Sequence, residues 1–177
     1  MKLTKEEIES LDNLDLSVKL FDITIEKVTA DDNRSQREVF ESFNNAEKVV
    51  FLGNIFLFEY YNGGLRQYFT NSSGEFCKET TDMFRQIGVN NSADVIERCL
   101  ELFIKHSTSP EKLWEKLQNS GELYDIIYLS DVWDNEDLNN ELEAIESAYD
   151  KMYPEEDAIM SKAIEKYIDS ERPNLIN

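Results

Sequence analysis

Histidine, cysteine, glycine and proline are all scarce in this chain, and each shortage removes a class of reading. The 177 residues hold one histidine, His106, and two cysteines, Cys77 and Cys99, with no C-x-x-C or H-E-x-x-H spacing. A structural zinc needs several such ligands close together, so no metal site is expected. Both cysteines have apolar neighbours and read as buried free thiols of a reducing compartment. Six glycines and three prolines are too few for a many-turned β fold and favour helices. No run approaches the ~20 apolar residues that span a membrane. The start, Met1-Lys-Leu-Thr-Lys-Glu-Glu7, turns acidic at once and lacks a signal-peptide core. The expected address is cytoplasmic, with no membrane partner.

Basic residues are the next shortage. Eighteen lysines and arginines face 37 acids, for a net charge of −19. Residues 1–32 carry a net of −5, residues 33–130 of −4 and residues 131–177 of −10. Direct nucleic-acid binding requires a basic footprint against phosphate, so it is not expected. A basic protein partner is favoured, although acidity also serves solubility alone.

What remains is apolar and periodic. Hydrophobic residues make up 41% of the chain, with ten Phe and eight Tyr, enough for a core in a chain that buries roughly 70% of its unfolded surface. The expectation is a single acidic all-α domain over residues 1–177, a bundle of about seven to nine helices around a buried central helix. Thr4-Lys-Glu-Glu7 is a capping box for a first helix reaching about Asn13. Leu16 to Val28 reads as a helix from Leu16, Leu20 and Ile23, although Phe21, Ile23 and Ile25 alternate as in a strand. From about Gln36 one long helix is expected to run through the apolar stretch Val49–Phe58 and stop at Asn62. Gly88 should close a helix bearing Met83 and Phe84, with Asn91 or Ser92 capping the next. Ser109-Pro110 marks another helix start, ending near Gly121. Leu123 to Trp133 could be a helix or a packed loop. Asp134 or Asn135 caps a helix with Leu138, Leu142, Ile145, Tyr149 and Met152 on one face, ended by Pro154. A last helix carries Ile159, Ala163, Tyr167 and Ile168, followed by a frayed tail.

The break Asn62-Gly63-Gly64 is the most informative local feature. Two adjacent glycines disfavour helix by roughly 1 kcal/mol each against alanine. Here they follow a nearly continuous apolar run. Glu59, Asn62, Gln67 and Asn71 surround the break. Their amides and carboxylate suit the unpaired backbone groups of a helix end, and equally a pocket for a small ligand or a partner's side chain. A lone Glu59 without a placed partner is weak ground for catalysis, and His106 reads as an exposed helix end near a C-terminal dipole. No catalytic residue, cofactor or metal is assigned, and the expectation is not an enzyme.

These residues, Glu59, Asn62, Gly63, Gly64, Gln67, Tyr68, Phe69 and Asn71, with Gly74 and Ile87-Gly88, form an E-x-x-N-G-G-x-x-Q-Y-F-x-N string. It resembles the signature of the family named for its DNA-mimic protein. The likeness runs from about Glu47 to Phe103 and more loosely through Leu138 to Ile168, so about residues 47–170. The resemblance implies a non-catalytic domain whose partner is a basic protein such as a DNA-binding transcription regulator.

The acids that could act in this way are Asp134, Asp137, Glu141, Glu143, Glu146, Asp150, Glu155 and Glu156, which lie on or beside the last two helices. Helix neighbours sit about 5–6 Å apart, whereas B-DNA carries about one charge per 1.7 Å of axis. Several helix faces, or two subunits of a homodimer, would be needed to match it. The other readings are a small-ligand-binding or enzymatic domain at the glycine break, and an immunity-type protein that neutralises a basic toxin.

Overall fold

In the computed structural model the described residues are 3–30, 33–113, 115 and 135–176, and every regular element among them is helical. The elements are α1 (Lys5–Ser10), α2 (Asn13–Thr29), α3 (Gln36–Glu41), α4 (Asn45–Thr70), a 3-10 turn (Ser72–Phe76), α5 (Cys77–Ile87), α6 (Asn90–Lys105), α7 (Glu136–Asp150) and α8 (Tyr153–Leu175). The fold is all-α. Among the described residues no helix is long and apolar enough to cross a membrane. The chain forms two compact units, residues 1–54 with 158–177, and residues 55–157. Helices α4 and α8 contribute residues to both.

In the first unit, Thr4 and Glu7 make the expected capping box, but α1 ends at Ser10. Asp12 then caps α2 by accepting a hydrogen bond from Asp15 N–H. The long helix expected from Gln36 is two helices. Ser35 and Glu38 form a capping box for α3. Asn44 and Glu47 form another, with Glu47 N–H donating to Asn44 Oδ1 at 2.9 Å and Asn44 N–H donating to Glu47 at 3.1 Å. This second pair outcompetes continuation of the helix through residues 42–44. Glu47 is buried and also takes the ammonium of Lys27. Val49, Val50, Phe51 and Leu52 are consecutive and all buried, so α4 is covered on every side over this turn, which makes it the core helix. Phe40, Phe43 and Phe51 pack ring to ring at 5.4–6.0 Å. Arg172 of α8 donates to the carbonyls of Ile8 and Leu11 and to Asn13 Oδ1, where α1 and α2 meet.

The inward face of α8 in this unit is Met160, Ile164 and Ile168, whereas Ile159 is exposed. Of the expected Ile159, Ala163, Tyr167 and Ile168, Ile168 is buried, and the other three lie one residue off the buried row. The helix continues to Leu175 in place of a frayed tail.

In the second unit, α5 and α6 form a hairpin closed by Gly88 at φ 84°. Val89 N–H donates to Phe84 C=O at 2.8 Å across the turn, the pattern of a Schellman motif. Neither Asn91 nor Ser92 caps α6; the N-cap is Val89, without a side-chain bond. Ser109 does precede a helical turn at residues 110–113, with Leu113 N–H donating to its carbonyl. The expected end near Gly121 and the segment Leu123–Trp133 lie outside the described residues. Asn135 caps α7, and Leu138, Leu142, Ile145 and Tyr149 are buried on one face as expected. Met152 is not part of that face, because the helix ends at Asp150. Pro154 lies in the first turn of α8, where its missing N–H costs nothing. The core of this unit is aromatic, with Phe56 against Tyr68, Phe84 and Tyr149. Cys77 and Cys99 are free and buried, and burial pushes the Cys77 thiol up to about 11.

Candidate functional site at the glycine break

The apolar run of α4 reaches Asn62, whose side-chain amide donates back to Phe58 C=O at 2.7 Å. Gly63 and Gly64 then leave helical geometry, and Leu65 starts a second helical stretch to Thr70. The two glycines are required for different reasons. Gly63 is extended at φ −170°, which any residue can adopt, but a Cβ there would lie 2.4 Å from Gln67 Oε1 and 2.9 Å from Gln67 Cβ. Gly64 has φ 71° and ψ −162°, a region open essentially to glycine alone. A Cβ on Gly64 would also lie 1.7 Å from Glu146 Oε1.

Glu146 explains that crowding. Its Oε1 accepts a hydrogen bond from Leu65 N–H at 2.6 Å. A carboxylate from α7 thus occupies the N-terminal end of the second stretch, where unpaired N–H groups favour negative charge. Burial raises the Glu146 carboxyl above its ordinary value, with the Leu65 hydrogen bond opposing the shift.

Glu59 bridges the same break from the other side. One of its oxygens accepts from Gln67 Nε2 at 2.7 Å and from Asn71 Nδ2 at 2.8 Å. The other accepts from Ser73 Oγ at 3.0 Å. One carboxylate therefore ties the end of the first stretch to the second stretch and to the 3-10 turn. Tyr68 and Phe69 are core residues: Tyr68 donates to Thr80 Oγ1 at 2.9 Å inside the unit, and Phe69 packs against Phe103 at 5.0 Å. Ser73 and Glu146 complete this network, and neither could be picked out by its local sequence. Phe58 and Tyr61, 64% and 66% exposed, stand on the outer side just before the break. Tyr61 donates to Asp157 at 2.8 Å and packs against Tyr153.

The acidic surface is smaller than expected. Asp137, Glu143, Asp150 and Glu155 are exposed, and Asp134 lies outside the described residues. Glu156 is only 3% exposed and accepts from Asn91 Nδ2 at 2.6 Å and from Ser92 Oγ at 3.3 Å. It continues the inward row of Met160 at i−4, so its carboxylate is turned away from solvent and satisfied by α6. Glu146 is turned to the glycine break. Asp150 accepts the Tyr60 hydroxyl, and that phenol is pushed up by burial and by Asp150. Glu141 receives Lys105 on both oxygens at 2.7 and 2.6 Å and His106 Nε2 at 3.1 Å, and Lys105 lowers its pKa most.

His106 is likewise less open than an exposed helix end, at 12% side-chain exposure. Asn135 must present Oδ1 to Leu138 N–H, so its amide nitrogen faces His106 Nδ1 at 3.0 Å. That ring nitrogen is then an acceptor, and Nε2–H donates to Glu141.

No group of three or more His, Cys, Asp or Glu among the described residues is arranged to hold a metal ion. The donors and acceptors at the break satisfy one another, which makes it a joint first of all. No curated protein and no solved structure matches the chain. A family model does: the one described as DMP19-like protein matches residues 41–171, a span that includes the break, Glu59 and Glu146. The chain belongs to the DMP19-like protein family.

Proposed function

We propose that the protein is a non-catalytic, cytoplasmic interaction domain that occupies the basic, DNA-binding surface of a partner in place of DNA. Its family is the one known for a DNA mimic. The observation that carries the reading is a surplus of outward carboxylates. Glu101 on α6, Glu136, Asp137 and Glu143 on α7, and Glu155 on α8 are exposed and have no ion pair among the described residues. The whole chain has a net charge of −19. Such a surface attracts a basic partner over about 10 Å at 0.1 M salt and disfavours DNA itself.

One helix is too dilute for mimicry. Glu136 and Glu143 are seven residues apart, or about 10 Å along the axis at 1.5 Å per residue, against about 1.7 Å per charge in B-DNA. Charges from more than one helix, or from two subunits, have to combine. A ligand pocket at the glycine break is the weaker reading, because Glu146 and Glu59 already take the donors there. The test is to capture basic proteins on the full chain at low and high salt and titrate the captured partner with DNA. Mimicry requires that DNA and this protein exclude each other. A freely formed ternary complex would rule it out, and exclusion from a basic toxin that binds no DNA would favour the immunity-type reading.

A further inference from the structure

Helix α2 has two apolar rows where a surface helix needs one. Leu16, Leu20 and Ile23 form the buried row, at 0–3% exposure. The second row is Leu14, Val18, Phe21, Ile25 and Val28, with spacings of 4, 3, 4 and 3 residues. That is the a/d repeat by which one helix packs along another. In this row Leu14 is 56% and Val18 53% exposed, and Phe21, Ile25 and Val28 are partly exposed. Val18, Phe21 and Ile25 border one open groove with Asp15, Asp22 and Glu26.

The charges beside the row specify the occupant. Asp15 and Asp22 are exposed, seven residues apart, each immediately after a d-position residue, and neither carboxylate has a partner among the described residues. The single base on this side, Lys19, is held by Glu7. A helix laid along the row would meet aliphatic and aromatic side chains in the centre and carboxylates on one flank. A second copy of α2 is disfavoured on this face, because it would bring its own unpaired Asp15 and Asp22 to the seam and no base to meet these.

We propose that this face of α2 docks a basic amphipathic helix of a partner protein. Apolar residues of that helix lie on Leu14, Val18, Phe21 and Ile25, and its Lys or Arg side chains pair with Asp15 and Asp22. The docking mode is helix against helix, with burial supplying affinity and the flanking charges supplying orientation. It differs from occupation of a DNA-binding surface in that its apolar part persists at high salt.

The test titrates the full chain with a synthetic helical peptide carrying Leu at a and d positions and Lys on the flanks. A scrambled peptide of the same composition and a version with Glu in place of Lys serve as controls. The amphipathic basic peptide should bind about tenfold or more tightly than either control, equivalent to about 1.4 kcal/mol. Val18→Glu should remove that preference with the thermal midpoint unchanged. The double variant D15N/D22N should weaken binding at low salt and leave the high-salt component. Equal binding of the scrambled peptide would overturn the proposal. So would a large loss of thermal stability in Val18→Glu, which would mean that the chain covers this face itself, or a dimer that Val18→Glu dissolves. Failure of DNA exclusion with peptide docking intact would remove the mimic reading alone.

Discussion

The carboxylate of Glu146 and the backbone N–H of Leu65 meet at 2.6 Å in the space that a side chain on Gly64 would fill. The glycine therefore does two things: it reaches φ 71°, and it leaves room for a carboxylate that is 81 residues from Leu65 in sequence. Substitution at this position should disturb both.

Gly64→Ala is expected to destabilise the protein by about 2 kcal/mol or more, from backbone strain together with displacement of Glu146. Gly88→Ala is the matched comparison. Gly88 also has positive φ, at 84°, but a Cβ there meets nothing within 4 Å. Its cost should be the conformational term alone, about 1 kcal/mol. Denaturant unfolding of the two variants measures the difference, and equal losses would show that the Glu146 contact is dispensable.

Acidification should reveal the cost of keeping Glu146 ionised. Its folded-state pKa is raised, chiefly by burial. The folded state therefore holds this proton over a window where the unfolded chain releases it, and the group's stabilising contribution is lost as pH rises through that window. Glu141 has the opposite sign: its pKa is lowered, so its contribution is lost as pH falls. Compared with Glu146→Gln, the wild type should gain relative stability between pH 7 and pH 5. Thermal melts of the pair at both values provide the check; a constant gap would mean that the carboxyl titrates normally.

Glu59→Ala should cost about 2 kcal/mol, because it leaves two part-buried amides without their acceptor and the buried Ser73 hydroxyl with only its 3.3 Å bond to Tyr68 C=O. Asn62→Ala should cost well under 1 kcal/mol, since that side chain is exposed and only returns to its own helix. Chemical denaturation would order the two, and the reverse order would be evidence against Glu59 as the bridge of the break.

Neutralising Glu136, Asp137, Glu143 and Glu155 to their amides should leave thermal stability within about 0.5 kcal/mol, as for exposed carboxylates in general. The same variant should bind a basic partner more weakly at low salt and with a shallower salt dependence. Glu141, Glu146 and Glu156 do not belong in such a test, because each has intramolecular partners. Calorimetry at two salt concentrations reads both effects; unchanged affinity would place the partner elsewhere on the surface.

The glycine break was legible because two glycines after a long apolar run have few other meanings. Its hydrogen-bond network was legible only on the side that is local in sequence, from Glu59 to Gln67 and Asn71. Glu146 arrives from another helix, and no spacing reports that. The inward turn of Glu156 did have a signal: it stands four residues before Met160, which stands four before Ile164. Reading the stripe from Ile159 placed it one residue off and turned Glu156 outward. The break before α4 was also visible, as Asn44 three residues before Glu47, but it was hidden by the apolar residues on both sides. Phe21, Ile23 and Ile25 imitated a strand because α2 is apolar on two faces, and consecutive odd positions fall alternately on one and the other.

The first unit is discontinuous: residues 1–54 belong with residues 158–177, and Arg172 binds the carbonyls of Ile8 and Leu11. The second unit, residues 55–157, is continuous. A ribosome delivers the chain from its amino end, and domains generally fold as units in that order. Here α1, α2 and α3 are made before residues 158–177, which their unit needs in order to close. Until then the junction of α1 and α2 lacks the Arg172 side chain that binds its carbonyls. Of the two units, the one begun first is thus the one completed last.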